Sequence, residues 1–250
     1  MMKHRSVLNF SVLAVVACNL SLSQQADWPS VKVASTFNST MSLYTWDGSN
    51  LNPLQDTQAV LLVDAVRNKA MIHSKIQVPL FGSVNADMLV DFTNGSTMMY
   101  TPFLGLCERD SLDGQFSLST LFALLSNQQL NITQYEGSKS APWDLNTSEW
   151  QFHSEVDLNG TDYVLDSYFE QSSSNLKWAH YPNKGVAIQF AQGGLQPAQF
   201  KDSDFVISQC NNQANTNVRF VDRDPSDHND WFKFWFGFPR MEIMQRQADQ

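Results

Sequence analysis

Hydrophobic and polar residues alternate with period two along most of the chain. Val84, Ala86, Met88, Val90 and Phe92 fall on one face, while Asn85, Asp87, Asp91 and Thr93 mark the other, and only Leu89 breaks the pattern. Ile72, Ser74, Ile76 and Val78 oppose Met71, His73, Lys75 and Gln77 in the same way. So do Trp150, Phe152, Ser154, Val156 and Leu158 against Gln151, His153, Glu155 and Asp157. Strands with one apolar and one polar face belong to antiparallel sheets. Residues 59–63 are apolar on both faces and read as a central strand. Further strands are expected over 96–102, 161–169, 175–181, 186–190 and 203–208.

The punctuation between these runs fits a meander. Asn94-Gly95 and Asn159-Gly160 each lie between two alternating segments, the pattern of a two-residue type I′ hairpin. Arg67-Asn68 is a weaker turn. One helix is expected at 116–125, where Leu118, Leu121, Phe122 and Leu125 share a face. Asp113 or Ser117 would cap its start. A stretch with Pro, Ser and Gly at 136–148 reads as the link between two strand groups, which are compatible with two halves of one sheet.

The two ends differ from this body. Residues 1–23 have a basic start (Lys3, His4, Arg5), an apolar run from Val7 to Leu22, and small residues Ser21 and Ser23 before a cleavage point. This is the layout of a secretory signal peptide. Two rival readings are a bacterial lipobox ending at Cys18 and a mitochondrial presequence, the latter with a single Arg. At the other end, Asp222, Asp224, Asp227 and Asp230 form an acidic turn. It leads into 231–238, where six of eight residues are aromatic. The expected organisation is a leader over 1–23, a β domain over 24–221 and an extension over 222–250. An aromatic segment of that density would be covered by its own domain, by a second copy in a homo-oligomer, or by a membrane interface.

Composition narrows the function classes. The net charge of −9 becomes −11 once Lys3 and Arg5 leave with the leader. Such a chain repels phosphate backbones, so no nucleic-acid role is expected. Five Asn-x-Ser/Thr sequons follow the leader, at Asn38, Asn94, Asn131, Asn146 and Asn159. Chance would supply roughly half of them in a chain this rich in Asn, Ser and Thr. Two sit at expected hairpin turns, where glycans belong. A secreted or lumenal glycoprotein is therefore the preferred reading. Cys107 and Cys210 are the two cysteines left after cleavage, and in an oxidising compartment they are expected to pair. The alternative is two buried free thiols, against which both have polar neighbours.

Motifs for chemistry are sparse. There is no Gly-x-Ser-x-Gly elbow and no phosphate-binding glycine loop with Lys-Ser/Thr. His73, His153, His180 and His228 show no metal-ligand spacing. His73 and His153 fall on polar strand faces and read as solvated surface residues. Asp222, Asp224 and Asp227 offer oxygen ligands that calcium would accept, although the EF-hand glycine and glutamate are replaced by Asp227 and Lys233. The bland reading is a solvated loop. No catalytic residue is expected.

The order of these segments carries a resemblance. Hairpins lead to Val84–Phe92, then to Asn94–Tyr100, Leu106-Cys107, Leu112 and Phe116. Later come Asn159–Asp166 and Asp204–Cys210. This layout resembles ependymin-related proteins and, more broadly, the LolA/LppX-like lipoprotein-carrier fold, over about residues 40–210. The chain has fewer mature cysteines than that pattern and adds the aromatic extension. The resemblance implies a mainly β fold: a strongly curved antiparallel meander, as a half-barrel or two stacked sheets, around an apolar cavity with one or two short helices. It also implies non-catalytic binding of a lipid-like hydrophobic molecule, and for ependymins calcium-dependent behaviour. From the alternation, the lining would come from Ile72, Ile76, Val84, Met88, Val90, Phe92, Phe152 and Val156, with Phe122 from the helix. Phe103, Phe116, Trp150 and Trp178 are further aromatics expected to point inward. The competing class is a secreted structural or adhesive module, oligomeric through its C-terminus.

Overall fold

The structure, a computed structural model, describes residues 28–78, 82–102, 105–111, 117–119, 132–158, 161–211 and 219–222. Thirteen strands are present among them, and all join one sheet. In chain order they are β1 Thr36–Trp46, β2 Leu51–Asp64, β3 Lys69–Val78, β4 Gly82–Asp91, β5 Ser96–Thr101 and β6 Leu106–Ser111. Then follow β7 Thr133–Lys139, β8 Glu149–Leu158, β9 Thr161–Glu170, β10 Leu176–Tyr181, β11 Val186–Phe190, β12 Gln196–Pro197 and β13 Arg219–Asp222. Across the sheet the order is β13-β6-β5-β4-β3-β2-β1-β11-β10-β9-β8-β7, with β12 against β1. The sheet is thus two meanders, β1–β6 and β7–β11, joined where β1 pairs antiparallel with β11. The β6–β13 pair alone is parallel. The two strand groups are halves of one open sheet.

Alternation builds this sheet because each strand buries one set of side chains. Phe37, Met41 and Leu43 of β1, Leu61 and Val63 of β2, and Ile72 of β3 belong to one core with Met88, Val90, Met99, Phe152, Phe169 and Ile188. The core therefore runs across both meanders on one face, called inner below. Trp28, Val31 and Ile132 pack on it from outside the strands. Each fully buried Phe, Leu or Met contributes roughly 1.5–3 kcal/mol of gross transfer energy.

Two smaller clusters cover parts of the outer face. Met71, Cys107, Phe205, Ile207 and Cys210 form one, with Leu62, Leu89 and Met98 at its margin. Leu89, the residue that interrupts the alternation of β4, thus has an apolar environment of its own. Ala141, Tyr168, Trp178 and Ala187 form the other, with Tyr44, Leu51 and Trp143.

Several expectations are corrected. Residues 203–208 are not a strand. Asp202–Phe205 is a 3-10 turn and Ser208–Asn211 one helical turn. The Asp204 carboxylate accepts the Lys201 backbone N–H at 2.7 Å and so favours a turn over extension. Phe205 and Ile207 still bury, but as a cover on the outer face. Residues 136–139 belong to β7, so the link between the meander's strands begins at 140. The alternation does not give β1, β6, β7, β12 or β13.

The Asn94-Gly95 hairpin exists, but not as a type I′ turn. Asp91 pairs with Ser96, leaving a four-residue loop, and of its residues only Gly95 has positive φ, at 58°. A type I′ turn needs two such residues. The Asp64–Lys69 loop repeats the same design, with Asn68 at φ 56°. In both, an aspartate oxygen accepts two backbone N–H groups: Asp64 from Val66 and Arg67, Asp91 from Thr93 and Asn94. Leu158 pairs with Thr161 across the second expected hairpin, and Asn159-Gly160 itself lies outside the described residues. So do most of the expected helix 116–125 and the aromatic segment 231–238. Of the helix, Leu118 and Ser119 are described and helical. The Leu118 N–H is taken by the Asn68 side chain at 2.6 Å.

Candidate functional site

The inner face brings together six of the residues named for ligand binding. Ile72, Val84, Met88, Val90, Phe92 and Phe152 are all buried there. Strand register explains the grouping. Ile72 stands opposite Met88, and Met88 opposite Met99, so one row crosses three strands. Phe152 reaches the same core from β8, edge-on to Trp28 and Phe169. Ile76 lies in β3 and Val156 in β8, but their side chains, and Phe122 altogether, are outside the described residues.

Beside that row is one of small side chains. Met41 pairs with Ala59, Ala59 with Ser74, and Ser74 with Ala86. Four hydroxyls on this face bond within the protein, while Ser167 Oγ, fully buried beside Phe152 and Ala179, has no hydrogen-bond partner. Ser74 donates to Ala86 O at 3.0 Å, Ser39 to Gly194 O at 2.8 Å, and Thr133 and Ser154 bond each other at 3.0 Å. Apart from Ser167, this face offers an entering molecule dispersion and apolar burial.

Trp178 is a correction: it points to the outer face. The β9–β10 register shifts between Leu176 and Trp178. Lys177 is the extra residue of a bulge, and it turns Trp178 away from the face Leu176 occupies.

The outer face at β8–β10 holds a polar row that sequence spacing does not reveal. His153 is paired with Asp166, and Asp166 with His180. His153 Nδ1 lies 2.7 Å from Asp166 Oδ1, and its Nε2 lies 3.1 Å from Glu155. His180 Nδ1 is 3.8 Å from the other Asp166 oxygen. His153 is therefore a paired side chain, not a solvated one, while His73, half-exposed, pairs with Asp87 at 2.8 Å. The available signal was a shared two-residue periodicity of His153, Asp166 and His180, usable only with the strand order in hand. Trp143 stands over His180 at 90° with centroids 5.0 Å apart, and Trp178, Tyr168 and Trp46 surround it.

Trp143 sits on the loop between β7 and β8, which ion pairs hold down. Lys177 contacts Asp144 at 3.2 Å and Glu149 at 2.8 Å. Thr147 bonds Asp144 and Glu149.

Burial opposes the charge of His153, but the hydrogen bonds its ring donates to Asp166 and Glu155 outweigh it and raise the pKa above the ordinary 6.5. Burial likewise opposes ionisation of Asp166, yet His180 and His153 hold its pKa below the usual carboxylate value. The raised His153 contributes stability fully present below pH ~6.5 and lost as pH rises through its folded value. The lowered Asp166 contributes stability present above its unfolded value and lost as pH falls through its folded one. Unfolding midpoints should therefore decline on the alkaline side of pH ~6.5, and H153Q should flatten that decline. Parallel midpoint-versus-pH curves for the two proteins would show that the pair contributes nothing.

No family model matches this chain, and neither does any curated protein. Among the described residues, no three His, Cys, Asp or Glu side chains are placed to hold one metal ion. Asp222 ends β13, and its side chain, Asp224 and Asp227 lie outside the described residues. No helix among those described is long and apolar enough to cross a membrane. Cys107 and Cys210 form a disulfide, with Cα atoms 5.7 Å apart. Asn38, Asn94 and Asn146 are exposed, and Asn131 and Asn159 lie outside the described residues.

Proposed function

We propose that this protein is a secreted glycoprotein that binds and carries a lipid-like hydrophobic molecule against the inner face of its sheet, without catalysing its turnover. The observation that carries the reading is the continuity of that face. One apolar surface runs over both meanders, and the hydroxyls of Ser39, Ser74, Thr133 and Ser154 on it are already bonded to the protein. The small row Ala59–Ser74–Ala86, bordered by Met41 and the Ile72–Met88–Met99 row, suits an acyl chain lying across the strands. Methionine side chains adapt their shape to ligands of varied length. Each methylene buried adds about 0.8 kcal/mol of gross transfer energy, so chain length would set affinity. The exposed sequons at Asn38, Asn94 and Asn146 and the disulfide fit an oxidising, glycosylating compartment.

The test is a delipidated sample titrated with a fluorescent fatty-acid probe. Saturable binding is expected, with displacement by unlabelled long-chain fatty acid and weaker binding by A86F, which fills the small row. No probe binding, together with no co-purifying ligand by native mass spectrometry, would replace this reading with that of a structural module.

A further inference from the structure

We propose that the outer face at β8–β11 carries a second, separate site, for a neutral carbohydrate, walled by Trp143. Buried polar groups in folded proteins are almost always partnered, and each exception asks for a cause. Here several of the exceptions among the described residues gather in one place. Trp143 Nε1, Trp178 Nε1, His180 Nε2 and Glu149 Oε2 are buried with no hydrogen-bond partner, while His180 Nδ1 faces Asp166 at 3.8 Å. Trp178, His180 and Glu149 are each at least 95% buried. The rings are neighbours: Trp143 lies 5.1 Å from Trp178 and 5.0 Å from His180. Glu149 is tied to the same loop through Lys177 and Thr147.

The chemistry of these groups selects the ligand class. Indole and imidazole N–H groups donate to oxygen, and a free carboxylate oxygen accepts from a hydroxyl. Trp143 and Trp46, both partly exposed, offer apolar ring surface for the C–H face of a sugar ring. An anion would meet Asp144, Glu149 and Asp166, against which stands Lys177. An organic cation would favour the rings and carboxylates but would face N–H donors of the wrong polarity. A neutral polyhydroxylated molecule uses all three kinds of group. Trp143 is half-exposed on its loop, so the solvent side of the site is the 140–148 segment. This face is opposite the apolar one, and neither reading depends on the other.

Nuclear magnetic resonance of the full mature chain, labelled at its indole nitrogens, tests this with cellobiose, lactose and N,N′-diacetylchitobiose as probes. At least one should move the Trp143 and Trp178 N–H signals saturably at millimolar concentration, without displacing a bound fatty-acid probe. W143F, which keeps a ring and loses the donor, should weaken that binding about tenfold or more at unchanged thermal midpoint. The proposal is overturned if no sugar moves these signals, if W143F binds as the wild type does, or if tetramethylammonium moves them and the sugars do not. Should W143F fail to fold, the wild-type shifts decide alone.

Discussion

Replacing Cys107 and Cys210 together with alanine should cost about 4–5 kcal/mol of stability and lower the thermal midpoint by roughly 10–15 °C. The disulfide closes a separation of 103 residues, so in the unfolded chain it removes much of the entropy of a long loop. It also ties the outer-face segment 200–211 covalently to β6, beside an apolar cluster and the Arg67–Asp202 ion pair. Cys107 lies on β6, and Cys210 on the single helical turn Ser208–Asn211. Both are fully buried with Phe205 and Ile207, which cover Met71 on the outer face. Arg109 adds one hydrogen bond to Cys210 O at 3.3 Å. Without the bridge, residues 200–211 would keep their apolar contacts but lose their covalent anchor, and β13 would lose the constraint that returns it to β6. Chemical denaturation of the double variant beside the oxidised wild type measures this. A loss under about 1 kcal/mol would mean that native strain or residual unfolded structure cancels the entropic gain.

K177M should destabilise the protein by about 3–5 kcal/mol, far more than an exposed ion pair would. The reason is Glu149, whose side chain is 2% exposed and whose Oε1 takes hydrogen bonds from Lys177 at 2.8 Å and Thr147 at 2.6 Å. Methionine preserves the aliphatic stem and removes the ammonium, leaving a carboxylate nearly out of water without its counter-charge. Burial works against the charge on Lys177, but Glu149 and Asp144 outweigh it and raise its pKa. Lys177 therefore stays charged throughout the neutral range. Adding E149Q to K177M should recover most of the loss, because the amide needs no cation. The loop bearing Trp143 should loosen in K177M, seen as faster hydrogen exchange at 141–148. Equal stability of K177M and wild type would show that water already screens Glu149.

Side-chain alternation sufficed to find β3, β4 and β8 and the face each buries. The core residues Ile72, Met88, Val90, Phe92 and Phe152 follow from a period of two, a local property any strand shows wherever it lies. The pairing of Cys107 with Cys210 was equally legible once Cys18 was read as part of a leader, which leaves one intramolecular choice. Local reasoning failed where partners override it. Residues 203–208 alternate as a strand would, but the Lys201–Asp204 bond and the disulfide fold them over the outer face. Trp178 changed faces because a bulge adds one residue, and a shift of one residue reverses the facing. The His153–Asp166–His180 row depends on three strands aligned in register. Register is fixed by hairpin geometry and by the cross-sheet seam of β1 with β11. The sequence by itself thus determined the class of structure, its buried face and its covalent tie. The tertiary structure alone decided strand order and the polar row on the outer face, because those depend on contacts between residues far apart in the chain.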